Sequence, residues 1–110
     1  MSTIDGYWGI DTTKALQSYF GLQETGYVNH QWADNKQPAL TGGWEWNYTQ
    51  IGDNVIRKLQ KLLGTEVDGL FGYNDICALQ RRMGTCVDGV LSAGSSCVKE
   101  LQKRVFNGYI

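Results

Sequence analysis

The 110-residue chain has one proline, one histidine and no long apolar run. A single proline beside fourteen glycines excludes a proline-rich spacer and points to many tight turns. The lone histidine, His30, lies in the turn-like "VNHQW" with no Ser or Cys partner at a readable spacing, so a Ser–His or Cys–His nucleophile is not expected. No apolar stretch approaches the roughly 20 residues that span a bilayer. The first residues, "MSTIDGYWGI", carry neither a basic n-region nor an apolar h-region, so no signal peptide is expected. Met1 stands just ahead of the motif that opens at Ile4, which suits a C-terminal module or an internal start.

Neither sign of charge is in excess. Ten basic and eleven acidic residues give a formal net charge of -1. That excludes a grip on nucleic-acid phosphates, which needs a basic face, and a polybasic membrane anchor. Cysteine is scarce and odd in number, at Cys77, Cys86 and Cys97, which does not suit a disulfide-stapled fold. Cys86 and Cys97 flank one turn and could approach each other in an oxidising setting. The spacing Cys77-x8-Cys86-x10-Cys97 matches no zinc knuckle, so neither a metal nor a cofactor is expected. No phosphate loop, nucleophile elbow or metalloprotease motif appears, and the chain is not expected to be an enzyme.

What the sequence does hold is a repeated pattern. Leu-Gln occurs at Leu16-Gln17, Leu59-Gln60, Leu79-Gln80 and Leu101-Gln102. Asp-Gly turns stand at Asp5-Gly6, Asp68-Gly69 and Asp88-Gly89, and Thr25-Gly26 takes the same slot in a fourth unit. Successive Leu-Gln pairs from Leu59 are spaced by 20 and then 22 residues. In "VIRKLQKLLG", Leu59, Leu62 and Leu63 follow Val55 or Ile56 at helical spacing, Asp53 or Asn54 caps the start, and Gly64 ends the run. "NDICALQRRMG" repeats this with Asn74 or Asp75 as cap, Ile76, Leu79 and Met83 inward and Gly84 as stop. "SSCVKELQKRVFNG" does so with Ser95 or Ser96, Val98, Leu101, Val105 and Gly108. "DTTKALQSYFG" is the first helix, capped near Asp11 or Thr12. Asp-Gly is read as a structural turn that lets the following apolar pair tuck under the helices.

Residues 32–50 break the period. Here lie Trp32, Trp44, Trp46, Tyr48 and the proline, and "TGGWEWNYT" alternates as an extended or hairpin segment would. These aromatics either plug a small core or form an exposed platform for a sugar ring or peptide stem. The expected fold is mainly α: tandem short helix–turn repeats with an irregular or hairpin Trp-rich insertion. Its single domain divides into repeat 1 at about 1–31, insertion 32–52, repeat 2 at 53–84 and repeat 3 at 85–110.

The stretch "LQKLLGTEVDGLFGYNDICALQRRMG" resembles the peptidoglycan-binding domain family of short helical modules. The order "DGYWG", "TTKALQ", "YFG", "GWEW" and "KELQ" resembles the C-terminal wall-binding regions of phage endolysins that attack Gram-positive bacteria, over essentially the whole chain. The resemblance implies a non-catalytic module that binds peptidoglycan or another wall polymer and targets a separate lytic domain of the same enzyme. It implies synthesis in the host cytoplasm and action at the extracellular wall. The expected contacts are Tyr7, Trp8, Gln31, Trp44, Glu45, Trp46, Asn47 and Tyr48. An assembly module of a multi-chain endolysin, forming homo-oligomers, is the alternative; a small wall hydrolase is a third reading.

Overall fold

The computed structural model describes residues 3–110. In chain order it holds α1 (Ile10–Tyr19), β1 (Val28–Trp32), a 3-10 turn (Ala33–Asn35), β2 (Trp44–Asn47), α2 (Asn54–Leu63), α3 (Tyr73–Met83) and α4 (Ser96–Val105). The expected mainly α array of tandem repeats is therefore corrected: the architecture is mixed α/β. The insertion is not a hairpin either. β1 and β2 pair in parallel, Val28 with Trp44, Gln31 with Trp46 and Trp32 with Asn47. Parallel pairing needs a crossover. The 3-10 turn and the segment around Pro38 supply it, and Gly42-Gly43 sits at its end rather than at the tip of a two-residue turn.

The strand pair is irregular between Val28 and Gln31. His30 lies between them at φ 56°, in the left-handed region that a non-glycine residue seldom occupies. This extra residue lets Val28 and Gln31 both face inward although they are three apart, which the strict two-residue alternation of a strand forbids.

The helices start where their caps allow. Asp53 caps α2 through the Val55 amide and Ser95 caps α4 through the Val98 amide. The other two starts differ from expectation. Gly9 precedes α1 and Gly72 precedes α3, and Asp75 acts from inside its helix by accepting the Gly72 amide at 3.0 Å. That is the reciprocal half of a capping box.

Each helix packs on its chain neighbour and α1 also packs on α4, so the four form a closed ring. Inside it lie Leu16, Ile56, Leu59, Ile76, Leu79, Val98 and Leu101, with Trp8, Phe71 and Leu91. In each apolar pair after a turn, the second residue enters this core. Trp8, Val28, Phe71 and Leu91 are wholly buried, whereas Tyr7, Tyr27 and Val90 stay exposed.

Four buried glutamines hold the turns. Gln60 accepts the Asp68 and Gly69 amides at 3.1 and 2.9 Å and donates to Asp68 Oδ1 and the Leu70 carbonyl. Gln80 does the same for Asp88, Gly89 and Val90. Gln17 binds Thr25, Gly26 and Tyr27. Gln102, near the end of the chain, binds Asp5, Gly6 and Tyr7 near its start. A buried amide needs its partners, and these turns supply them.

Candidate groove at the Trp-rich insertion

The expected contact residues divide sharply. Trp8 is 0% exposed; its indole donates to Thr13 Oγ1 at 2.9 Å and its ring meets Trp44 edge-on at 5.1 Å. Trp44 is buried and donates to the Trp8 carbonyl at 3.0 Å. Gln31 is also wholly buried. It accepts the Phe71 amide and donates to the Gly69 carbonyl, both at 2.8 Å, and so ties the insertion to the turn at Asp68. Trp8, Gln31 and Trp44 are thus core groups and cannot meet a ligand at the surface, because their polar atoms and faces are already occupied.

The other five lie at or near the surface. Tyr7 stands apart from the insertion strand, in a shallow groove with Asp5, Thr12, Thr41 and Gln102. Trp46 is half-buried and stacks face to face on Trp44 at 5.3 Å. Glu45 accepts the His30 amide at 2.9 Å, with His30 Nδ1 3.4 Å away. Asn47 caps its own turn through Thr49. Tyr48 is 62% exposed; its ring meets Trp32 edge-on at 4.7 Å and its hydroxyl donates to Asp34 at 2.9 Å. That hydrogen bond, and then the Asp34 charge, raise the tyrosine's pKa.

Trp32 leads to a site that the sequence did not single out. It forms one wall of an open groove of about 450 Å³ between the insertion and the start of α3. Asn35 and Gln50 complete the insertion side. Thr65, Glu66, Asp68, Leu70 and the segment Gly72–Asp75 form the other. The turn side is built by the Gln60 hydrogen bonds, which fix Asp68 and the α3 start together: Gln60 Nε2 also donates to Asp75 Oδ2 at 3.0 Å. Tyr73, 64% exposed at the first position of α3, lines the groove there, but its ring lies over Gly89 in the following turn, and hydrogen bonding to Cys77 raises its pKa. The signals for this groove were present but scattered. Trp32 belongs to the Trp-rich segment, whereas Tyr73 and Glu66 lie some 30 to 40 residues further along, beside a turn read as purely structural.

The arrangement offers one indole, Trp32, and several hydrogen-bonding groups in a shallow, open cleft. Among the described residues no three His, Cys, Asp or Glu side chains converge on a point that could hold a metal. The three cysteines are unpaired, so the approach of Cys86 and Cys97 does not end in a bond. Burial pushes the Cys97 thiol up to about 11, which keeps it protonated and unreactive at neutral pH. No helix is long and apolar enough to cross a membrane. No protein-family model, curated protein or solved structure matches the chain.

Proposed function

We propose that this chain is a non-catalytic module that binds the Gram-positive cell wall and holds a separate lytic domain of a phage endolysin against it, with the groove between Trp32 and the start of α3 as its contact face. The observation that carries this reading is the groove itself. A half-buried tryptophan beside amides and carboxylates suits the apolar face and hydroxyl or amide edge of a wall sugar or stem peptide. The motif order that resembles endolysin wall-binding regions points the same way. Such a cleft grips weakly at one site, and a polymeric wall compensates by presenting many sites. The module carries no reaction of its own in this reading.

The test is sedimentation of the purified chain with Gram-positive sacculi, before and after teichoic acid is stripped, with Gram-negative sacculi as control. Pelleting with stripped sacculi is expected, and Trp32→Ala is expected to abolish it while the melting temperature stays put. A chain that never pellets refutes the proposal. The assembly alternative rests on a different feature, a wide cleft of about 950 Å³ between α1 and α4 lined by Ala15, Tyr19, Val105 and Phe106. Sedimentation velocity that shows oligomers, together with no wall binding, would favour it.

A further inference from the structure

The groove has a one-sided charge. Glu66, Asp68 and Asp75 line it, and none of its lining residues is Lys or Arg. Asp34 stands beside it under the Tyr48 hydroxyl. None of these carboxylates is paired with a cation: the ion pairs among the described residues are His30–Glu45 and Glu100–Arg104. Asp75 is only 6% exposed and is held by neutral donors alone, the Gln60 amide, the Gly72 amide and the Thr65 hydroxyl. Its position in the first turn of α3 lets the helix dipole offset part of its charge. Glu66 and Asp68 precede the helix. Asp68 keeps Oδ2 free of hydrogen bonds, and the Glu66 carboxylate makes none, its backbone carbonyl alone accepting the Asp68 amide. Their negative potential is therefore left open to whatever enters.

Beside these carboxylates stands Trp32, with the Tyr48 ring edge-on against it. Aromatic faces attract cations and carboxylates pair with them. The same field repels phosphate. From this we infer that the groove selects a cationic amine on the wall polymer, not an anionic phosphate chain. Two wall groups carry that chemistry: the amine of a de-N-acetylated glucosamine, and the free side-chain amine of a diamino acid in the stem peptide. The inference rests on the wall-binding reading above and narrows it to one ligand class.

The experiment has a wall arm and a probe arm, both with the full chain. Sacculi are treated with acetic anhydride to cap their amines, then compared with untreated sacculi by pelleting. In parallel, a glucosamine tetramer and a lysine-containing stem tetrapeptide are titrated against tryptophan fluorescence, each beside its N-acetylated counterpart. Acetylation is expected to weaken binding about tenfold, and the sugar or peptide probe that shows the difference names the source. Glu66→Gln, which removes an exposed carboxylate without a hydrogen bond, is expected to weaken amine binding about threefold and to leave melting unchanged. Equal binding before and after acetylation overturns the amine inference and leaves wall binding standing. No pelleting of untreated sacculi, with no response to either amine probe, overturns both. Tighter binding after acetylation also overturns the inference, since it would mean that the acetyl group is the recognised feature.

Discussion

Gln102→Met tests how the ring is closed. The Gln102 side chain accepts the Asp5 and Gly6 amides at 3.1 and 3.0 Å and donates to Asp5 Oδ1, the Tyr7 carbonyl and Thr12 Oγ1 at 3.1, 2.8 and 3.0 Å. Methionine preserves most of the volume and removes every one of these bonds. The Gly6 amide and the Thr12 hydroxyl are buried at these contacts, so both are left without a partner. At about 1–3 kcal/mol for each orphaned group, the substitution costs about 4 kcal/mol. That is a large share of the roughly 5–15 kcal/mol that a domain has in total. The urea midpoint should fall by about 2–3 M at a slope of about 1.5 kcal/mol/M. A cycle with Asp5→Ala should show coupling above about 1 kcal/mol, because both changes break the same contacts. A loss below about 1 kcal/mol, or fully additive effects, would refute the claim that Gln102 locks the start of the chain to its last helix.

Acid should loosen the same locks. Asp5 is held below the ordinary carboxyl value of 3.8 mainly by the Tyr7 amide and then by Gln102, and Asp88 mainly by Gln80 and then by the Val90 amide. A depressed carboxyl contributes stability above its unfolded value and loses it as pH falls through the folded one. Urea midpoints should therefore be level from about pH 7 to 5 and drop below about pH 4, with a shallower drop in Asp5→Asn. Glycine contrasts offer a second check on closure. A β-carbon on Gly6 (φ 81°) would stand 2.5 Å from the Gly94 carbonyl carbon, whereas one on Gly84 (φ 74°) meets nothing within 4 Å. Gly84→Ala should cost about 1 kcal/mol of backbone strain, and Gly6→Ala well above about 2 kcal/mol by urea titration. Among the tryptophans, Trp8→Ala should cost about 3–5 kcal/mol and Trp46→Ala distinctly less, since only Trp8 is wholly enclosed. Thiol titration of the native chain should find Cys86 alone, with Cys77 and Cys97 reacting only on unfolding.

Local order was legible in the residues, because it depends on near neighbours. The spacing of Leu59, Ile76, Leu79, Val98 and Leu101 gave the helices, and Gly64 and Gly84 their ends in left-handed geometry. Asp53 and Ser95 were readable as caps because a short polar side chain just ahead of an apolar stripe has one obvious use. Asp-Gly was readable as a turn for the same reason. Gly9 and Gly72 were missed as helix starts because glycine caps with its backbone freedom and leaves no side-chain signal.

The tertiary structure decided everything that joins distant residues. Trp44, Trp46 and Tyr48 alternate identically in the sequence, yet one is buried, one half-buried and one exposed, because β2 ends at Asn47 and only its start faces the core. The inward facing of both Val28 and Gln31 hung on His30, whose left-handed backbone no residue pattern announces. The groove needed Trp32 and the start of α3 at Tyr73, 41 positions apart in the sequence, to face one cleft, an arrangement set by the Gln31 tie to Phe71 and Gly69. Leu-Gln and Asp-Gly recur visibly along the chain, but the sequence cannot say that the glutamine's amide is what each turn folds around. Nor can it say that the last glutamine reaches back to the first turn. That pairing spans 97 residues and exists only because four helices close into a ring, bringing α4 against α1 and leaving a buried amide that the Asp5 turn and Thr12 satisfy.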